Sequence, residues 1–219
     1  MKRIVIAASV IAGLTGCVVS QSEDQISFDG LVPVVNTNLD RAWVRPDFDL
    51  ANYDKVMFRG VGIEYAPTKR ATRLSVGTQT SFLIDEEDKQ RLEDVVEDEF
   101  AKELVKVEGF ETVDEPGQET LLLTIGLREV SSHVPPDRVG RHEVFLPEVG
   151  SATLVIEFRD SESGAIMVRG SERRAAERFG TDFQRSSPVT NWSTVRRLAS
   201  TWARGLRVAL DDLGAMAAQ

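Results

Sequence analysis

Cysteine is nearly missing from this chain, with Cys17 the single one in 219 residues. No disulfide can brace the fold, so its stability must come from a buried core. Catalytic signatures are missing as well. The chain has no Gly-x-Ser-x-Gly elbow, no phosphate loop and no His-Glu-x-x-His. Gly60-Val61-Gly62 starts like a dinucleotide fingerprint, but Tyr65 stands where the third glycine belongs, and the glycines read as flexibility at a strand end. Positive charge is in deficit, with 26 Lys and Arg against 35 Asp and Glu and a net charge of −9. An acidic body repels the phosphates of nucleic acids and anionic head groups, so no nucleic-acid partner is expected. The apolar run from Ile4 to Leu14 is about half of the ~20 residues a bilayer-spanning helix needs.

That run has a different use. Lys2 and Arg3 precede it as a positive n-region, and it ends in Leu14-Thr15-Gly16-Cys17. This looks like a lipobox, not the A-x-A site of an ordinary secretory leader. Residues 1–16 then form a lipoprotein signal peptide, and Cys17 becomes a new N-terminus bearing a diacylglyceryl thioether and an acylated amine. Two or more chains give a stable anchor, at about 0.8 kcal/mol per buried methylene. No cofactor is expected beyond this covalent lipid. With valines at 18 and 19 and not the Asp usual in lipoproteins kept at the inner membrane, the chain resembles one sorted to the outer membrane, facing the periplasm.

Behind the anchor, residues 17–52 read as lipidated cysteine, tether and irregular approach, too rich in Pro, Asn and Asp to fold alone. Residues 53–219 read as one α+β domain. Lys55 to Tyr65 alternates as a strand. Asp85 caps a helix over 85–107, with Leu92, Val96, Phe100 and Leu104 at helical spacing and Gly109 as the stop. Leu121 to Leu127, Ala152 to Arg159 and Ile166 to Arg174 alternate as strands, the last two joined by the turn Asp160–Gly164. Val195, Leu198, Trp202, Leu206, Leu210 and Leu213 mark a closing helix over 193–213, capped by Asn191 or Ser193 and ended by Gly214. The expected architecture is one mixed or antiparallel sheet of four to five strands with two long amphipathic helices on one face. The acidic outer face of the first helix (Glu93, Asp94, Glu97, Asp98) should meet Arg196, Arg197, Arg204 and Arg207 of the second.

One polar cluster has reactive groups. The loop 131–149 holds both histidines of the chain, as His133, Asp137, Arg141, His142, Glu143 and Glu148. A metal or acid–base site needs two or three such groups held rigidly, and the Pro- and Gly-containing spacing does not force His133 and His142 together. The loop therefore reads as a solvated segment and a candidate binding loop, with a metal-binding or hydrolytic site as the alternative. Trp202 belongs to the core, whereas Trp192 and Trp43 either pack or face a partner.

Ser27-Phe28-Asp29-Gly30-Leu31, Tyr53-Asp54-Lys55-Val56, Asp160-Ser161-Glu162-Ser163-Gly164, Trp192, Trp202-Ala203 and Leu210-Asp211 follow the lipobox in order. This succession resembles the proteobacterial lipoproteins grouped as domain-of-unknown-function family 3313. The resemblance implies an envelope lipoprotein and supplies no catalytic residues. The leading expectation is a non-enzymatic, lipid-anchored domain that faces the periplasm and binds another envelope component, protein or cell wall. The alternative is a tethered envelope hydrolase or metal-binding protein working through His133 and His142.

Overall fold

Period-two burial runs through the centre of the molecule: Leu121, Leu123, Ile125 and Leu127 turn to one face, with Ala152, Leu154, Ile156 and Phe158 beside them. In the computed structural model the elements follow as β1 (Val32–Val34), β2 (Arg41–Val44), β3 (Lys55–Tyr65), α1 (Glu86–Leu104), β4 (Glu111–Thr112), β5 (Thr120–Ser132), β6 (Glu148–Asp160), β7 (Ile166–Glu177) and α2 (Pro188–Ala217). The structure describes residues 27, 29–35, 37–68, 81–135, 145–178 and 186–217, with side chains described up to Gly214. Leu14, Thr15, Gly16 and Cys17 lie outside the described residues, as do Asp137, Arg141, His142 and Glu143.

The fold is α+β, with seven strands in the order β1-β2-β7-β6-β5-β3-β4. The sheet is mixed, since β3 runs parallel to β5 and β4 while the other pairs are antiparallel. The strand count exceeds the expected four to five. Two of the additional strands come from the segment expected to be irregular, where Arg41–Val44 pairs with Ser171–Val168 of β7 and Val32–Val34 pairs outside it. Pro33 is tolerated there because β1 is an edge strand, where a missing N–H costs no ladder bond. The folded body therefore includes much of 17–52.

Gly60 is not at a strand end. It sits inside β3 with φ +110°, at an irregularity between Phe58 and Val61. Val56 and Phe58 face the core before it, and Val61, Ile63 and Tyr65 face the core after it. The extra residue of the bulge restores the inward phase, and only glycine adopts that backbone without strain. The Val61 N–H donates to Glu97 Oε1 of α1 at 3.4 Å, which ties the bulge to the helix above.

α1 begins as expected, with the Asp85 carboxylate accepting the Asp88 N–H at 2.9 Å and three acids in the first turn. It stops at Leu104, earlier than expected, and buries Val95, Val96, Phe100 and Leu104, with Leu92 half-buried. α2 begins earlier and ends later than expected. Ser187 is its cap, with Oγ accepting the Thr190 N–H at 3.2 Å, and Pro188 occupies the first turn, where its missing N–H costs nothing. Trp202, Leu206 and Leu210 are buried, while Leu198 is partly covered.

Both helices lie on one sheet face, and they run parallel. Arg91 meets Trp192, Glu103 meets Arg207, and the Glu108 N–H donates to Asp211 Oδ1 at 2.7 Å. At the C-terminal ends the backbones nearly touch. A Cβ on Gly109 would lie 3.1 Å from Gly214 Cα, so Gly214 permits close approach inside α2 and does not end it. The acidic partners of the α2 arginines are Glu103, 3.0 Å from Arg207, and Glu99, 3.7 Å from Arg196. The ion pairs described between the helices use Glu99 and Glu103 in place of the expected Glu93, Asp94, Glu97 and Asp98. Such partly exposed pairs add about 0–1 kcal/mol each. Burial therefore holds the helices together.

Candidate functional site

Side chains that mark the family motifs turn out to fasten the fold. Asp29 pairs through Oδ2 with Arg169 at 2.7 Å, and Arg169 pairs with Glu157 at 2.7 Å on the sheet face opposite the helices. The Ser27 hydroxyl bonds Asp29 and accepts the Leu31 N–H at 3.3 Å. Gly30 takes φ +80° to close the turn, and Leu31 is 0 % exposed. This clasp holds the first described residues onto β7. Elsewhere the Tyr53 hydroxyl donates to Asp160 Oδ2 at 3.2 Å, and Asp160 Oδ1 accepts the Ser163 N–H at 2.7 Å. Two motifs distant in sequence thus meet at one hairpin.

The clasp has a pH signature. The Ser27 hydrogen bond, with Arg169 adding to it, holds the Asp29 carboxyl below the usual carboxylate range against the opposing effect of burial. Asp160 is lowered in the same way by Ser163. A depressed folded pKa means a contribution fully present above the unfolded pKa of about 4 and lost as pH falls through the folded value. The melting temperature should therefore drop below about pH 4, and Asp29→Asn should make that acid limb shallower while lowering stability at neutral pH. Melting curves of both proteins across this range check it. An unchanged limb would remove Asp29 from the account.

A concavity lies at the opposite end of the helix pair. The helices are pinned at their C-termini by Gly109 and Gly214. At their N-termini they are bridged by long side chains, with the Arg91 guanidinium 4.7 Å from the Trp192 ring. Between them and the sheet is a cleft of about 500 Å³, within the usual size range of ligand pockets. Its floor consists of core residues, among them Val96, Leu127, Ala152, Ala199 and Trp202, and Leu92, Val195 and Leu198 are among its walls. Asp85, Glu87, Asp88, Arg91 and Ser132 are among its polar lining residues. Leu83 on the rim is 51 % exposed, and Val189, next to the lining Pro188, is 78 % exposed. Trp192 lines this cleft, while Trp43 sits in β2, half-buried.

A shallower polar groove contains His133, Glu148, Ser131, Ser151 and Arg173. His133 Nδ1 lies 3.1 Å from Glu148 Oε1, and the His133 backbone N–H donates to the Val149 carbonyl at 2.9 Å. Arg173 is paired with Glu129 at 3.0 Å. Among the described residues no three His, Cys, Asp or Glu side chains are grouped to hold a metal. The structure thus joins His133 to Glu148, and the remaining members of the sequence cluster lie outside the described residues. Among the described residues no helix is long and apolar enough to cross a membrane.

No curated protein matches the sequence. Among solved structures, a Xanthomonas campestris protein of family DUF330 is similar at 13% identity and a TM-score of 0.43, covering 85% of this chain and 97% of its own. The PelC dodecamer of Paraburkholderia phytofirmans is similar at 12% identity and a TM-score of 0.35, covering 76% and 95%. At these scores neither likeness speaks to activity or partners. The family model described as "Protein of unknown function (DUF3313)" matches residues 21–206, a range that takes in the clasp, the whole sheet and most of α2, and the chain belongs to that family.

Proposed function

We propose that this chain is a lipid-anchored envelope lipoprotein, acylated at Cys17 and held at the outer membrane facing the periplasm. Its folded domain binds another envelope component, protein or cell wall, without catalysis. The observation that carries the binding reading is the cleft between the N-terminal ends of α1 and α2, an apolar concavity bordered by exposed Leu83 and Val189. Exposed apolar side chains gathered at one cleft are a common mark of an interaction site. Ser27, Asp29, Tyr53 and Asp160 of the family motifs, in contrast, are engaged in fastening the fold.

A photoreactive residue in place of Leu83 tests the binding reading in the native envelope. The expected result is one discrete adduct, lost when Val195→Phe narrows the cleft. A smear independent of the cleft would end the proposal. Cys17→Ala should leave the chain uncleaved or release it from the outer membrane as a soluble species, and lipid label persisting on that variant would refute the anchor. The alternative, a tethered hydrolase or a metal-binding protein, has one observation in its favour, the contact of His133 with Glu148 at 3.1 Å. It gains if His133→Ala with His142→Ala abolishes a cellular phenotype at unchanged protein level.

A further inference from the structure

We propose that the outer edge of β7 is a docking strand for a second copy of this chain, paired antiparallel about Ala175. β7 runs from Ile166 to Glu177, but its neighbour β2 covers only Val168 to Ser171. Backbone groups of a strand point alternately to its two sides. The Met167 carbonyl accepts the Arg45 N–H, and the Arg173 N–H donates to Asp40 Oδ2 at 2.7 Å, both on the β2 side. The Arg178 N–H donates to the Pro147 carbonyl on the β6 side. Odd-numbered residues of β7 therefore face outward. Two side chains mark the limits of the uncovered stretch, Asp40 on the Arg173 N–H and Arg197 on the Glu177 carbonyl. Between them the Arg173 carbonyl, both backbone groups of Ala175 and the Glu177 N–H have no hydrogen-bond partner among the described residues. Such a row is a template for another strand.

The edge is complementary to itself, which selects the occupant. Arg173, Ala175 and Glu177 share the sheet face opposite the helices, where Arg173 also reaches Ser151 and Thr153. With two such edges antiparallel about Ala175, each Ala175 faces its copy in a hydrogen-bonded pair. Arg173 of each chain then stands opposite Glu177 of the other, and opposite charges at such positions stabilise a strand pair. Moving the two-fold axis to Arg173 or to Glu177 sets that residue against its own copy, and like charges disfavour those registers. Pairing exchanges the two caps for ladder bonds, Arg173 N–H to the Glu177 carbonyl of the second copy. The released side chains, Asp40 and Arg197 of the second copy, are again opposite in charge. Since α2 lies above β6 and β7, the axis also brings two α2 helices antiparallel over the joined edge. Arg196 and Arg207 mark the flank of α2 that meets α1. The opposite flank carries exposed Thr201 and Gly205, and a Cβ on Gly205 would meet nothing within 4 Å. The helices can thus approach closely and add area to a short ladder. The result is an isologous dimer with one continuous sheet.

The full chain with Cys17→Ala has no cysteine, so Ala175→Cys gives it a single thiol. Opposed residues of a hydrogen-bonded pair have Cα atoms about 5.5 Å apart, a span that a disulfide bridges. Mild oxidation should link Ala175→Cys chains into dimers and leave Glu162→Cys, exposed in the hairpin at the far end of β7, unlinked. Sedimentation of the Cys17→Ala chain should show a reversible dimer. Ala175→Pro, which removes only an outward N–H, should make it monomeric with unchanged circular dichroism. Arg173→Glu or Glu177→Arg should weaken association about two- to thirtyfold, the worth of two cross-strand pairs, and the double exchange should restore it. A chain monomeric up to its solubility limit, with Ala175→Cys crosslinking no better than the hairpin control, would overturn the proposal. So would a dimer that survives Ala175→Pro. The paired residues are not among those lining the cleft, so either outcome leaves the reading of the cleft as a binding site where it stood.

Discussion

Trp202→Ala should cost about 3–5 kcal/mol, the range for truncating a large buried aromatic. Trp202 is 4 % exposed and sits where α2 crosses the sheet, among Leu206, Leu154 and Val96 of the core cluster. Its indole N–H donates to Glu172 Oε2 at 2.9 Å. Glu172 is one of three buried polar residues among those described, and its other oxygen is taken by Arg174. Truncation therefore opens a cavity beneath the helix pair and strips a buried carboxylate of a donor. Domains of this size are stable by about 5–15 kcal/mol, so the variant approaches unfolding at ambient temperature. Trp202→Phe separates the two terms. It keeps most of the apolar area and loses only the N–H, an expected cost of about 1–3 kcal/mol. Denaturant titration of both variants measures the difference. Equal losses would mean that the hydrogen bond to Glu172, and not packing, is what matters here.

Leu31→Ala should cost about 2–5 kcal/mol, with a spatial signature the first variant lacks. Leu31 is fully buried although it lies in a short irregular segment, and the bonds around it join Ser27, Asp29 and Arg169. Through them the clasp closes over β7, beside which β2 and β1 form the sheet edge. With the clasp loosened, β1 and β2 should exchange amide hydrogens early while β5 and β6 stay protected, because local openings follow local contacts. Leu83→Ala is the control. Leu83 is half exposed, and its loss should stay within about 0.5 kcal/mol. Uniform exchange across the sheet would show that the clasp is not a separate unit.

The elements legible in advance were those whose signal is local. Four acids at 85–88 before a helical stripe announce the start of α1, since cap and macrodipole act within one turn. Asp160 to Gly164 announces a hairpin because φ +71° at Gly164 suits glycine and little else. Trp202 was legible as core because helical periodicity alone places it on the buried stripe. The candidate site was less legible. His133 and Glu148 are fifteen positions apart in number and meet only because β5 and β6 are antiparallel neighbours, with Ser132 opposite Gly150. Trp192 stood out as a residue that packs or faces a partner, yet nothing local says that Arg91 covers it.

Composition and short-range pattern by themselves determined the α+β class, the absence of disulfides and the inward face of each long strand and helix. These follow from charge, from periods of 2 and 3.6, and from turn chemistry, all of which act over a few residues. Tertiary structure alone decided that Val32–Val34 and Arg41–Val44 join the sheet, because short edge strands gain their pattern from a neighbour and not from alternation. It also decided that Gly214 serves a backbone contact and not a helix end. The cleft belongs with these. It exists because two parallel helices are pinned at one end and bridged by long side chains at the other, a relation between residues about a hundred positions apart that no window of sequence contains.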